Sequence, residues 1–303
     1  MNKTIKFIVE KKDHNIRVDL ILSEKINFIT RTYVKKLIEN SQLKINKKIV
    51  KTPATKVKVN DKIIINIIEK KESKVLPKKM DLKIVFEDND IIILNKPYGM
   101  PVQGGSKINF SVDDALSFLC TEKQTLKLTH RIDKNTTGIL IIAKSKEIAK
   151  KITKLFRENK IKKTYWALVK GKPKNKTGCI KEAIYKTKVN NIEKMKVLQN
   201  KEKNSITFFK TIESKNGLSL LEVYPKTGRT HQIRVHLLSE NCPILGDKKY
   251  NIFNKEENKS KENNYKMHLH AKSISFELKK KKYTFEAKLP LHFYDTLKLN
   301  NFS

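Results

Sequence analysis

The sequence predicts an α+β fold, a largely antiparallel central sheet with flanking helices, preceded by a small α/β unit. Three observations predict it. Alternating and wholly apolar stretches outnumber amphipathic ones, so strands outnumber helices. Hairpin patterns recur across 180–225 and again near the C-terminal end. A charged stretch with a single proline, EKKESKVLPKKMD at 69–81, reads as a linker. Residues 1–75 and 76–303 are therefore expected to be two domains, which a chain of 303 residues can supply.

The elements follow in order. In RTYVKKLIEN, Val34, Leu37 and Ile38 fall at helical spacing, with Arg31, Lys35 and Lys36 beside them. LKINKKIVK alternates around Asn46-Lys47 and predicts a hairpin. KVKVNDKIIINI predicts a second pair of short strands around Asn60-Asp61. After the linker, KIVFEDNDIIILNKPYGMPVQGG predicts a strand, an acidic turn at 87–90, a fully apolar strand and a Lys-Pro-Tyr-Gly turn. SVDDALSFLC predicts a short helix with Ser111 as its N-cap. KEIAKKITKLFREN is amphipathic, with Ile148, Ile152, Leu155 and Phe156 on one side. KKTYWALVKG predicts a strand and HQIRVHLLSEN a helix. The polar segment 251–266 predicts a surface loop, and MHLHAKSISFELKKKKYTFEAKLP two final strands.

A formal charge of +35 draws polyanions, so nucleic acid is the first partner to consider. The charge is spread along the chain, and part of it reflects a composition crowded with Lys, Asn and Ile. No apolar run approaches a membrane span. The lysine-bearing start lacks an apolar signal region, which predicts a cytoplasmic protein. Cys120, Cys179 and Cys242 lie far apart, form neither a disulfide framework nor a zinc pattern, and are expected to be buried free thiols. Only six of the 66 basic residues are arginine: Arg17, Arg31, Arg131, Arg157, Arg229 and Arg234. Where lysine serves for plain charge, a retained arginine points to its planar fork.

The stretch HRIDKNTTGILIIAK at 130–144 sets a charged cluster at the head of an apolar strand. Asp133 there can serve as nucleophile, general base or metal ligand, or simply bond its own turn. A metal would want further ligands, and no DxD or HxxxH pattern is near.

Two resemblances add to this reading. Residues 16 to about 67 resemble the S4 RNA-binding domain in order and length, which implies that Arg31, Lys35 and Lys36 face an RNA backbone. HRIDKNTTGILIIAK resembles the signature HRLDxxTSGLLLxAK of the RluA/RluC/RluD-type pseudouridine synthase family, with Ile132 for Leu and Thr137 for Ser. Three further blocks fit in order: EDNDIIILNKPYGMPVQGG, KKTYWALVKG and PKTGRTHQIRVHLLSENCPILGDKKY, the last with Asn251 where a glycine often stands. With LHAKSISFE and FEAKLP the match spans roughly 83–295.

The resemblance implies conversion of uridine to pseudouridine in RNA, without cofactor or metal. It implies that Asp133 is the essential aspartate, acting on ribose C1′ or assisting a glycal route. Tyr165 is implied to stack on the base and to help remove its C5 proton. Arg234 is implied to pair with Asp133, Ile233 to pack on the base, and Arg131 to lie near the flipped nucleotide. Taking a base out of its stack calls for an aromatic or apolar platform. A carboxylate kept ionised in a cavity calls for a cation in contact. Arg229 and Thr230 open a helix-like segment suited to phosphate. His130, His231, His236, His268 and His270 are expected to make structural hydrogen bonds.

PVQGGSKINFSVDDAL looks most like the RluC branch, which implies large-subunit (23S) ribosomal RNA as partner and a monomeric enzyme. The alternatives are an RluD-like synthase for the helix 69 stem-loop and a non-catalytic ribosome-assembly protein. A metal-dependent nuclease lacks clustered carboxylates.

Overall fold

The computed structural model describes residues 2–26, 29, 31–68, 82–104, 110–119, 125–189, 192–198, 201–250 and 265–303. The expected linker at 69–81, Cys120 and residues 251–264 of the expected polar loop lie outside these; of the other two thiols Cys242 is buried as expected, whereas Cys179 is exposed. The chain divides into two compact units, Met1–Lys74 and Val75–Ser303.

In the first unit, β1 (Asn2–Ile8), β2 (Leu43–Ile45), β3 (Lys48–Ile49) and β4 (Lys62–Ile68) form one sheet in the order β1-β4-β2-β3. Two helices cover it, α1 (Val18–Lys25) and α2 (Arg31–Glu39). Val18, Leu22, Val34, Leu37, Leu43, Ile63 and Ile65 make its dry core. The expected hairpin at Asn46-Lys47 forms, and both residues take positive φ, 49° and 69°, as a tight two-residue turn requires. The helix α1 was not anticipated, because only Val18, Ile21 and Leu22 mark its buried face. The expected strand ahead of Asn60-Asp61 does not form. Val57 is drawn into the core, and its backbone exchanges hydrogen bonds with Asn15 and Ile16 in a loop. The polar groups a strand partner would need are thereby used.

The second unit is built on a ten-stranded sheet. Its strands are β5 (Lys83–Glu87), β6 (Ile91–Lys96), β7 (Lys127–Leu128), β8 (Thr137–Ala143), β9 (Lys162–Lys170), β10 (Thr177–Glu182), β13 (Ser205–Lys215), β14 (Leu218–Pro225), β15 (Leu269–Leu278) and β16 (Lys281–Glu286). A separate two-stranded ribbon, β11 (Ile184–Val189) and β12 (Ile192–Val197), stands off it. The main path runs β10-β13-β14-β9-β15-β8-β6-β5. Among the described residues its one parallel ladder joins β15 to β8. The helices are α3 (Val112–Leu119), α4 (Lys146–Arg157), α5 (Gln232–Ser239) and α6 (Leu291–Leu299).

The apolar run in β8 is explained by helices on both faces. Ile139, Ile141 and Ala143 pack with Ile148 and Ile152 of α4. Leu140 and Ile142, pointing the other way, pack with Val112, Ala115 and Leu116 at α3. A strand buried on both sides loses the polar-apolar alternation of a half-exposed one. The N-caps follow the sequence. Ser145 accepts from the Ile148 N–H to start α4. Ser111 and Asp114 form a reciprocal box before α3, the Asp114 carboxylate accepting from both the backbone and the hydroxyl of Ser111.

Gly138 opens β8 at φ 103°, and a Cβ there would lie 2.3 Å from the Ala271 carbonyl oxygen. No side chain fits while β15 pairs with β8, so glycine fixes where the charged loop ends and the sheet begins.

Candidate active site

Asp133 sits in the loop just before β8, where a turn closes with the Thr136 N–H donating to its carbonyl. The loop is anchored from beneath by Lys96, the last residue of β6. Its Nζ donates to the carbonyls of Pro97 (2.9 Å), Met100 (2.8 Å) and Lys134 (3.0 Å). Lys96 is 1% exposed. Burial pushes its pKa down to about 7, against the pull of the Asp133 charge. Below that pH the three carbonyls match the three protons of the ammonium, and above it the neutral amine keeps two donors for them.

Replacing Lys96 with methionine should cost about 2–4 kcal/mol by leaving those carbonyls unpaired. The only tryptophan, Trp166 on β9, reports unfolding of this unit by fluorescence. Across pH 7 to 10.5 the unfolded lysine keeps a proton that the folded one loses, so the wild type should gain stability as pH rises through that window. Denaturation at several pH values should show that gain missing in Lys96→Met.

Arg234 comes from the first turn of α5. That helix is tied to β13 by Gln232, whose amide donates to the Ile206 carbonyl and the Thr207 hydroxyl. Its Nη1 donates to Asp133 Oδ2 at 2.8 Å. Nε and Nη2 grip Asp247 at 2.7 and 2.8 Å. The Tyr250 ring lies 4.8 Å from the guanidinium carbon. Burial opposes the Arg234 charge, yet Asp247 and Asp133 outweigh it and hold its pKa above the usual arginine value. The Asp247 side chain is 1% exposed and Asp133 is 24% exposed, so the guanidinium bridges a buried anchor and a carboxylate that reaches solvent.

These residues open on a cleft of about 830 Å³ lined by Asp133, Tyr165, Ile233 and Arg234 together with Arg131 and Arg229. Tyr165 stands on β9 between β14 and β15. Burial, helped by the Asp133 charge, raises its pKa well above the usual tyrosine value. At neutral pH it is therefore a phenol, suited to be a platform for a ring rather than a resting phenolate base. Ile233 is 7% exposed. Arg131 is exposed. Arg229 is also exposed, its Nε donating to the Asn204 carbonyl at 3.2 Å. The helix starts at Gln232 rather than at Arg229, with His231 as a left-handed N-cap at φ 55°.

The remaining expected binding residues lie in the first unit. Arg31 donates from Nε and Nη2 to buried Asp19, an acceptor that Arg17 shares. Its fork is engaged within the unit, which the charge pattern did not disclose. Lys35 is exposed and 3.8 Å from Glu39, and Lys36 is exposed.

Sequence reasoning missed four residues. Lys96 had a signal, a lysine ending an otherwise apolar strand. Asp247 and Tyr250 lay inside a quoted block without being singled out. Lys163 lines the cleft, and burial pushes its pKa down to about 8. With Arg131, Lys134, Arg157 and Arg229 it makes a basic wall in which, among the described residues, Asp133 is the only acidic one lining the cleft. His130 is structural as expected. It accepts from the Ile141 N–H and lies against Phe156, its pKa pushed down to about 3 by burial and nearby Lys163. His236 and His270 likewise meet threonine hydroxyls. Among the described residues, no cluster of three or more His, Cys, Asp or Glu is arranged to hold a metal, and no helix is long and apolar enough to cross a membrane.

Comparison with known proteins places this site in a family. A model of RNA pseudouridylate synthase matches residues 90–239, and one of the S4 domain matches 16–63. Ribosomal large subunit pseudouridine synthase C of Rickettsia felis is 35% identical over 295 residues, covering 92% of this chain and 95% of that protein. The protein of the same name from Buchnera aphidicola subsp. Schizaphis graminum is 38% identical over 273 residues, 86% of each chain. The solved structure of human RNA Pseudouridylate Synthase Domain Containing 4 is similar with a TM-score of 0.62 at 28% identity, over 72% of this chain and 93% of that one. Asp133, Tyr165 and Arg234 fall inside the first match, the basic helix α2 inside the second, and the chain belongs to the RNA pseudouridylate synthase family with an S4 domain at its N-terminal end.

Proposed function

We propose that this chain converts specific uridines of large-subunit ribosomal RNA to pseudouridine, with Asp133 as the residue that acts on the ribose. The observation that carries the reading is Asp133 itself, a carboxylate open to a cleft and paired at 2.8 Å with Arg234, whose other edge is anchored on buried Asp247. The target uridine leaves its stack and enters between the Tyr165 ring and the Ile233 side chain. Asp133 acts at the sugar, by attack on C1′ or by assisting a glycal, as the N1–C1′ bond breaks. The base turns and C5 bonds to C1′, releasing Asp133 in the first route or with the C2′ proton returned in the second; C5 then gives up its proton and N1 takes one. Nothing is oxidised or reduced, and atoms balance within the nucleotide. Arg234 pairs with Asp133 and orients it, while Arg131, Arg229 and the basic wall receive backbone phosphates.

The S4 domain adds affinity through Lys35, Lys36 and the exposed face of Arg31. The large-subunit substrate is supported by the names of relatives that match over most of the chain. The reading includes a monomeric enzyme working in the cytoplasm.

Carbodiimide mapping of pseudouridine in ribosomal RNA, from cells with and without the gene, tests the reading. Defined large-subunit positions should lose modification on deletion and regain it with wild type but not with Asp133→Asn. An unchanged map after deletion would sink the substrate. Rescue by the variant would sink the role of Asp133.

A further inference from the structure

Asp133 has a second neighbour besides Arg234. His231 Nε2 lies 3.8 Å from the same Oδ2 atom that Arg234 holds. The other ring nitrogen, Nδ1, is 2.7 Å from the Tyr250 hydroxyl, and that hydroxyl oxygen accepts from the Met195 N–H at 3.0 Å. Met195 lies on β12 of the ribbon.

The tautomer follows from counting protons. Tyr250 is 4% exposed, and its oxygen already accepts from Met195. Were Nδ1 protonated, that oxygen would accept twice and its own proton would meet no acceptor among the described residues. With the phenol donating, Nδ1 accepts, and the ring proton of a neutral imidazole must sit on Nε2, on the side of Asp133. The ring is neutral: burial pushes its pKa down to about 4, although the Asp133 charge pulls the other way. A neutral donor can steer a carboxylate without cancelling its charge as a second cation would.

Both groups lie nearest Oδ2. On the proposed reading of Asp133, Oδ1 is then the oxygen left for the ribose. At 3.8 Å the histidine contact is too long for a hydrogen bond. A shift of under about 1 Å would close it once substrate compresses the cleft.

We propose that His231 is a positioning residue for Asp133, presenting Nε2–H to Oδ2 in a tautomer that Tyr250 fixes and that the β11–β12 ribbon holds through the Met195 amide. The proposal rests on the reading of Asp133 as the residue that acts on the sugar. It assigns functions to three residues outside the Asp133–Tyr165–Arg234 set, and it ties a basic ribbon to the reacting carboxylate.

The test has two arms, both on the full chain. In the first, nitrogen-15 histidine NMR reads the tautomers, with His231 assigned by its loss in His231→Gln. The wild type should show Nε2 protonated and Nδ1 as acceptor, and Tyr250→Phe should lose this preference while keeping the ring over Arg234. In the second, single-turnover and steady-state kinetics use transcribed large-subunit ribosomal RNA. His231→Leu should lower kcat about 10- to 100-fold with KM within about twofold. His231→Gln, whose side-chain amide can place an N–H near the Nε2 position, should recover most of that loss. A wild type protonated on Nδ1, a His231→Leu enzyme with unchanged kcat, or equal losses in the Leu and Gln variants would each overturn the proposal. A wild type that makes no product from this RNA would count against the proposed substrate instead, and the NMR arm would still decide the relay.

Discussion

Asp133→Asn is expected to lower turnover by at least about 10⁴-fold and leave RNA affinity equal or tighter. The substitution is isosteric, and an amide oxygen can still accept from Arg234 Nη1, so the loop need not move. What is lost is the negative charge that acts on the sugar. Affinity should hold because Asp133 is, among the described residues, the only acidic one lining a cleft walled by Arg131, Lys134, Arg157, Lys163 and Arg229. Neutralising it removes a repulsion from the phosphates that those residues attract. Asp133→Glu is the companion. It keeps the charge but carries the oxygens about 1 Å too far, and should lose at least about 100-fold. Release of tritium from C5-labelled uridine in RNA measures turnover, and filter binding at fixed salt measures affinity. Turnover by Asp133→Asn within tenfold of wild type would remove Asp133 from the chemistry.

The sequence disclosed Asp133 because its neighbours are local. The charged head and the apolar run share fifteen residues, and the physical reason for the run, burial between α3 and α4, needs no distant partner to be suspected. The pairing with Arg234 spans 101 positions and was reached only through the family resemblance. Spacing alone leaves Arg234 as one of six arginines in a lysine-rich chain, with no partner indicated. What lay beyond both was the anchoring layer. Lys96 reads as one lysine among many until its three carbonyl acceptors are seen. Asp247 reads as a turn residue until it is found 1% exposed beneath a guanidinium. The basic helix α2 is the converse case. Its charge pattern was plain, but a fork spent on Asp19 is invisible without the fold.

The anchor separates stability from catalysis, because Arg234 serves two carboxylates of different burial. Arg234→Met leaves the buried Asp247 carboxylate without its cation, and among the described residues the Lys249 and Tyr250 amides are what remains to answer it. Breaking a buried pair from one side costs about 3–5 kcal/mol. Trp166 fluorescence in urea should show that loss, and turnover should fall together with it. Asp247→Asn, added to Arg234→Met, removes the stranded charge while its amide oxygen still accepts the two backbone N–H groups. The double variant should therefore recover most of the lost stability, since a neutral buried pair avoids the desolvation cost that the charged one must offset. Turnover should not recover, because no cation then orients Asp133 from that side. A double variant as unstable as Arg234→Met would mean that the guanidinium stabilises through Tyr250 and packing rather than through Asp247. A double variant that regains turnover would mean that Asp133 needs no arginine, and the electrostatic basis of the site would have to be sought in Lys96 and the basic wall.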